Sequence, residues 1–201
     1  TWWSEERQKQ LFARTIDQLQ WNGNNATFML AIARARLSMA GTQEWLRNEM
    51  VARLRSNGTL SLNRLQQPQR FNNFGHYTEQ FGAGMAVSEL LLQSVDDVIR
   101  IFPALGAGTR AGFTNLRSQG GFLISAAGSA EALKSLQVHS LYGGPLRLAS
   151  PWPRLQMRRD AESAFHTLEL NQRGVAEINT QPGERLHFQG EPQQSHSAPK
   201  N

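Results

Sequence analysis

In the first half of the chain, apolar positions recur three to four residues apart. Leu11, Phe12, Ile16 and Leu19, with Thr15 among them, share one face of a helix that Ser4 caps. Glu5 and Glu6 fall in its first turn, against the positive end of the helix dipole. Gly23, flanked by Asn22, Asn24 and Asn25, stops it. Residues 26–39 are apolar on nearly every side through Phe28, Met29, Leu30, Ile32, Ala33, Ala35 and Leu37, which predicts a helix enclosed by neighbours. Gly41 ends that run. Thr42 caps a third helix with Leu46, Met50 and Leu54 spaced by four, and Asn57-Gly58 supplies a left-handed stop. Residues 60–80 are polar, rich in Asn and Gln and broken by Pro68, and read as a long loop of the kind that carries function or stays disordered. A fourth helix follows over 82–94, where Gly82, Ala83, Gly84 and Ala86 allow close approach beside Met85, Val87, Leu90 and Leu91.

After Asp96-Asp97 the period changes from about 3.6 to 2, the mark of strands. Ile99-Arg100-Ile101-Phe102, closed by Pro103, and Phe122-Leu123-Ile124-Ser125 are strand candidates. Leu136 and Val138 alternate with Gln137 and His139, Leu146 and Leu148 flank Arg147, and residues 166–170 alternate as well. Turn chemistry at Gly120-Gly121, Gly143-Gly144-Pro145, Arg173-Gly174 and Pro182-Gly183-Glu184 predicts hairpins between them. The fold class is therefore α+β: helices over 1–97, an antiparallel β-sandwich over 98–189, and a tail over 190–201 that lacks an apolar pattern and reads as disordered.

Composition narrows the function. A chain of 201 residues with 39% hydrophobic content can bury a sizeable core. Its net charge of +5 is scattered among Gln, Asn and Ser without a Lys-rich run, which argues against nucleic acid as a partner. The absence of cysteine removes disulfides, thiolate metal sites and Cys nucleophiles. No stretch approaches the roughly 20 apolar residues of a membrane span. His76, His139, His166, His187 and His196 never fall at metal-ligand spacing, so neither a metal nor another cofactor is expected. Gly106-Ala107-Gly108 lacks the strand and helix of a phosphate loop, and no Ser-centred nucleophile elbow occurs. The start at Thr1-Trp2-Trp3, in mid-pattern and without Met, predicts a fragment of a longer polypeptide.

One region carries a resemblance. Phe81-Gly82-Ala83-Gly84-Met85-Ala86 leads through Glu89-Leu90-Leu91-Leu92-Gln93-Ser94 to Ile99-Arg100-Ile101-Phe102-Pro103-Ala104. This order resembles glycoside hydrolase family 95, in which a Gly-rich helix ending in a Glu-Met-Leu-Leu-Gln-Ser-type run precedes a strand ending in Pro-Ala. Asn115-Leu116-Arg117-Ser118-Gln119-Gly120-Gly121-Phe122, Tyr142-Gly143-Gly144-Pro145-Leu146-Arg147, Thr180-Gln181-Pro182-Gly183-Glu184 and Ala35-Arg36-Leu37 also fit that family. The resemblance spans residues 23–188 and is most specific over 81–104. It implies the closing helices of an (α/α)6 barrel, a six-hairpin glycosidase, followed by the β-domain. It further implies inverting hydrolysis of terminal α-L-fucosyl or L-galactosyl bonds, a carbohydrate substrate, the upstream remainder of the same polypeptide as partner, and a secreted or periplasmic location.

An inverting glycosidase needs a general acid and a general base about 6.5–9.5 Å apart in one cleft. In the family the acid lies earlier than any residue here, and the base stands just before the Gly-rich helix in an Ile-Asp-Gly-Asn-Phe-Gly motif. The matching run is Tyr77-Thr78-Glu79-Gln80-Phe81-Gly82, with Thr78 where the family has Asp. Glu79 is the nearest acid and the candidate base, with Asn73, His76 and Gln80 as candidate substrate-binding residues. Against this, Glu79 suits a bond to backbone amides at the helix start, His76 a solvated surface, and Asn72 and Asn73 a turn. Glu89, inside the apolar helix, reads as a paired structural acid. Trp2, Trp3, Trp21 and Trp45 suit core or interface positions as well as sugar platforms, and Trp152, between Pro151 and Pro153, is placed to seal the sandwich.

Overall fold

The computed structural model describes residues 6–19, 26–65 and 77–190. Four helices, α1 (Glu6–Gln18), α2 (Thr27–Arg36), α3 (Thr42–Arg53) and α4 (Tyr77–Leu91), precede two β-sheets. Phe28, Ala31, Ala35, Leu46, Ala83 and Leu90 form a core among α2, α3 and α4. The small residues matter here: a Cβ on Gly82 would stand 3.0 Å from the Cβ of Phe28, so α4 lies directly against α2. α2 is less enclosed than its composition predicts, since Met29 is exposed.

α1 has the expected apolar stripe but buries no residue, and Leu11, Phe12 and Leu19 face solvent. It is tied to α2 by an ion pair of 2.7 Å between Asp17 and Arg34.

Three expectations about helix ends are corrected. Gly41, at φ 70°, is the N-cap of α3, while the Thr42 hydroxyl donates to the carbonyl of Met39 at 2.6 Å and caps nothing. α3 stops at Arg53, and Asn57-Gly58 forms the tip of a turn closed by a bridge between Leu54 and Leu60. α4 begins at Tyr77 and ends at Leu91, which shortens the loop before it. The chain then passes directly into β1 (Leu92–Val95), so the sheet region begins before residue 98. Asp96 and Asp97 both adopt positive φ, 53° and 58°, and turn β1 back on β2 (Val98–Ile101) as a type I′ hairpin.

The remaining strands are β3 (Ala111–Ser118), β4 (Phe122–Gly128), β5 (Leu133–Ser140), β6 (Gly144–Ala149), β7 (Leu155–Arg159), β8 (His166–Leu168), β9 (Val175–Thr180) and β10 (Arg185–Gly190). One sheet runs β1-β2-β6-β9 and the other β3-β4-β5-β10-β7-β8. All pairs are antiparallel except β2 with β6. Ile99, Leu146, Leu148 and Ile178 of the first sheet share one core with Ile124, Leu136, Val138, Leu155, Leu186 and Phe188 of the second. Trp152 packs partly buried against this core, and a Cβ on Gly190 would come within 2.5 Å of its ring.

Of the four predicted glycine turns, Gly120-Gly121 alone joins two strands of one sheet. Gly143-Gly144, Arg173-Gly174 and Pro182-Gly183 carry the chain from one sheet to the other, not around hairpins. Gly143, Gly144, Gly174 and Gly183 take positive φ, which gives corners tight enough for a strand to change layers. A buried hydroxyl pair, Ser140 and Thr180 at 2.8 Å, ties β5 to β9 where two of these corners meet. The tail after Gly190 lies outside the described residues.

Candidate functional site

α4 places Glu79 in its first turn, where a carboxylate faces unpaired backbone N–H groups and the positive end of the helix dipole. Its neighbours alternate sharply. Glu79, Ala83, Ala86 and Leu90 are the buried face, and Tyr77, Phe81 and Met85, one turn apart, are an exposed one. Glu79 is only 3% exposed, and its carboxylate accepts a hydrogen bond of 2.6 Å from the Thr78 hydroxyl. Gln80, the next residue, is half-buried. Asn73 and His76, the other candidate substrate-binding residues, lie outside the described residues, as do Trp2, Trp3, Trp21 and His196.

Three acids are buried or half-buried in the helices, and they differ in their partners. Glu89 receives both Nε and Nη2 of Arg36, at 3.0 and 2.7 Å, the side-on pairing that fixes a carboxylate in place. The hydrogen bonding to Glu89 outweighs partial burial and raises the Arg36 guanidinium further above its ordinary range. Replacing Glu89 by Gln breaks this fork and is expected to cost about 1–2 kcal/mol in urea denaturation.

Glu49, buried on α3, is held by Arg53 and Arg64 together. Burial pushes its carboxyl up, but hydrogen bonds from Arg64 and then Arg53 prevail and leave it below the ordinary carboxylate value. Glu79 has no cation among the described residues. Burial of an acid without a cation is uncommon, and it sets Glu79 apart from its two neighbours.

The Glu49 cluster escaped the sequence reading. Its one signal there is the spacing of Glu49 and Arg53, four apart on a helix, which occurs on many solvated faces. Arg64 joins from a loop, and no local pattern predicts that.

The exposed pair Tyr77 and Phe81 lies across the helix from Glu79, so aromatic surface and buried acid occupy different faces of α4. Trp45 is partly buried on α3, with the Arg34 guanidinium 5.3 Å from its ring centroid, and serves packing. In the β-region His187 is bound to Asp160 at 2.5 Å, and His166 lies 3.7 Å from Glu162. Among the described residues, no helix is long and apolar enough to cross a membrane. No protein-family model matches the chain, and no curated protein matches it in sequence.

Proposed function

We propose that this chain is the C-terminal part of an α-L-fucosidase-like glycoside hydrolase of family 95 type, with α1–α4 as closing helices of an (α/α)6 barrel and the two sheets as its C-terminal domain. The observation that carries the reading is the buried carboxylate of Glu79, without a cation among the described residues, at the start of the Gly-rich helix. There it would remove a proton from the water that attacks the anomeric carbon, while a general acid on an upstream segment protonates the leaving oxygen from the opposite face. The barrel is supported by apolar surface that four helices leave uncovered. The stripe of α1 is open, and so is a groove between α3 and α4 lined by Leu46, Met50, Val51, Leu54, Leu60 and Val87. Further helices of the same polypeptide would bury both.

The test is turnover of aryl α-L-fucosides and α-L-galactosides by the complete polypeptide. Glu79→Gln is expected to lower kcat by about 10²–10⁴-fold with the thermal midpoint unchanged, the size of a lost general base. The 201-residue chain alone is expected to be inactive, because it carries half of the acid and base pair. Near-normal turnover of the Glu79→Gln protein removes Glu79 from the mechanism.

A second reading, a non-catalytic glycan-binding or structural module, draws on the contact between Thr78 and Glu79. Thr78 occupies the position of the family's catalytic Asp, and its hydroxyl engages the one nearby acid as a structural group would. Silence of the folded complete polypeptide across the glycoside panel favours this reading.

A further inference from the structure

None of the six strands of the larger sheet contains Asp or Glu, whereas they carry Arg117, Lys134, Arg158 and Arg185 and three histidines; Arg159 turns to the other side and pairs with Glu184 at 2.7 Å. Strand alternation sorts these side chains. Ile124, Leu136, Val138, Met157, Leu186 and Phe188 fill the core, so the residues between them face outward. The registers align Arg117, Leu123, His139 and Arg185 in one row across β3, β4, β5 and β10. The next row holds Ser125, Gln137, His187 and Arg158, and a third ends in Gln189, Gln156 and Thr167.

Asp160, just past β7, lies at the end of this face and is occupied by His187. The hydrogen bond from His187, and beyond it the charges of Arg185 and Arg158, hold its carboxyl below the ordinary range, so both guanidiniums act on that end of the sheet.

The opposite end is hollowed. The register of β3 slips between Phe113 and Leu116, Asn115 takes φ 55°, and its N–H donates to the Ser125 hydroxyl at 3.0 Å. This bulge leaves a shallow depression of about 480 Å³ lined by Gly112, Phe113, Thr114, Ser125, Ser135 and Gln137, with two alanines between them.

We propose that this outer face docks a uronic-acid polysaccharide. Charge complementarity selects an anion, and the chemistry between the charges selects its kind. Guanidinium forks match planar carboxylates in bidentate fashion. Amide and hydroxyl groups between them donate to and accept from sugar hydroxyls. Phe113 lines the depression and Phe165 lies 5.5 Å from the Arg158 guanidinium, two isolated rings rather than the series on which successive nucleic-acid bases stack, and the arginines are separated rather than massed along a phosphate track. Apolar residues in the rows are limited to Leu123 and Ala127, too few to anchor a protein hot spot or a lipid surface. The inference is independent of the hydrolase reading, since it concerns binding to a sheet that Glu79 does not belong to.

The experiment is affinity electrophoresis and calorimetry of the 201-residue chain with oligogalacturonate, beside dextran sulfate, neutral dextran and a DNA duplex. Oligogalacturonate is expected to bind most tightly. The double variant Arg117→Gln with Arg185→Gln is expected to weaken it at least about tenfold, as loss of two charge-assisted contacts requires. Arg147→Gln, on the other sheet, is expected to leave it unchanged. Should the double variant fail to fold, Gln137→Glu places an acid in the centre of the face and is expected to abolish binding. The proposal is overturned if oligogalacturonate does not bind, if dextran, dextran sulfate or DNA binds as tightly, or if the folded variants bind as the parent does.

Discussion

Replacing Arg53 by Ala is expected to lower the stability of the helical region by about 3 kcal/mol, read as a lower urea midpoint for α-helical signal. The Arg53 side chain is fully buried. Its guanidinium pairs with Glu49, donates to the Thr27 hydroxyl at 2.9 Å, and reaches the carbonyl of Leu62 at 3.4 Å. These contacts join α2, α3 and the turn after α3. Truncation leaves Glu49 buried with Arg64 as its remaining cation, and strands the Thr27 hydroxyl and a carbonyl, each a group that costs free energy when left dry.

Arg64 binds the same carboxylate but is 56% exposed, so Arg64→Ala is expected to cost about 0.2–1 kcal/mol, as a screened pair does. The pH dependence follows from the lowered Glu49 carboxyl. Its contribution is complete above the ordinary value of 4.5 and is lost as pH falls through the lower folded value. In the Arg53→Ala protein that acid-side loss shrinks, because less stabilisation remains to be lost. An unchanged midpoint for Arg53→Ala would mean that the cluster ties nothing together.

How much of this was legible in the chain depends on how local each signal is. Leu146, Arg147 and Leu148 announce β6 because alternation and burial coincide there. The same holds for Leu136 and Val138 in β5. β3 was hidden because the bulge at Asn115 breaks its period. β1 was hidden because Leu90, Leu91 and Leu92 are apolar without a breaker, and tertiary pairing with β2, not propensity, turns helix into strand at that point. Glycines marked the corners correctly but not their destinations, since the sheet a strand joins is decided by contacts far along the chain. At the site, Glu89 was visible as an acid within an apolar helix and Glu79 as an acid just before it, in what read as a loop. Their different fates rest on Arg36, which pairs with Glu89 from 53 residues away.

Gly128 leads to a second large effect. Substitution by Ala is expected to cost about 3–4 kcal/mol, since strained backbone and overpacking each contribute about 1–3. At φ 144° this residue occupies a conformation that L side chains rarely adopt. An added Cβ would meet the Ala132 carbonyl oxygen at 2.5 Å and the Leu133 Cα at 2.8 Å, both backbone atoms of the same turn. No rotamer change relieves such a contact. Either β4 pulls away from β5 or the turn between them opens, and both disturb the register that runs from Gly128 paired with Leu133 to Phe122 paired with Ser140.

Gly174 is the control. Its φ of 70° also disfavours a side chain, but a Cβ there meets nothing within 4 Å. Gly174→Ala is therefore expected to cost roughly 1–2 kcal/mol, the left-handed penalty alone. The difference between the two variants, measured by urea denaturation, isolates the steric term. Equal losses would show that the β4–β5 turn yields at no cost, and that the register of the larger sheet is set elsewhere, by the pairing of β5 with β10.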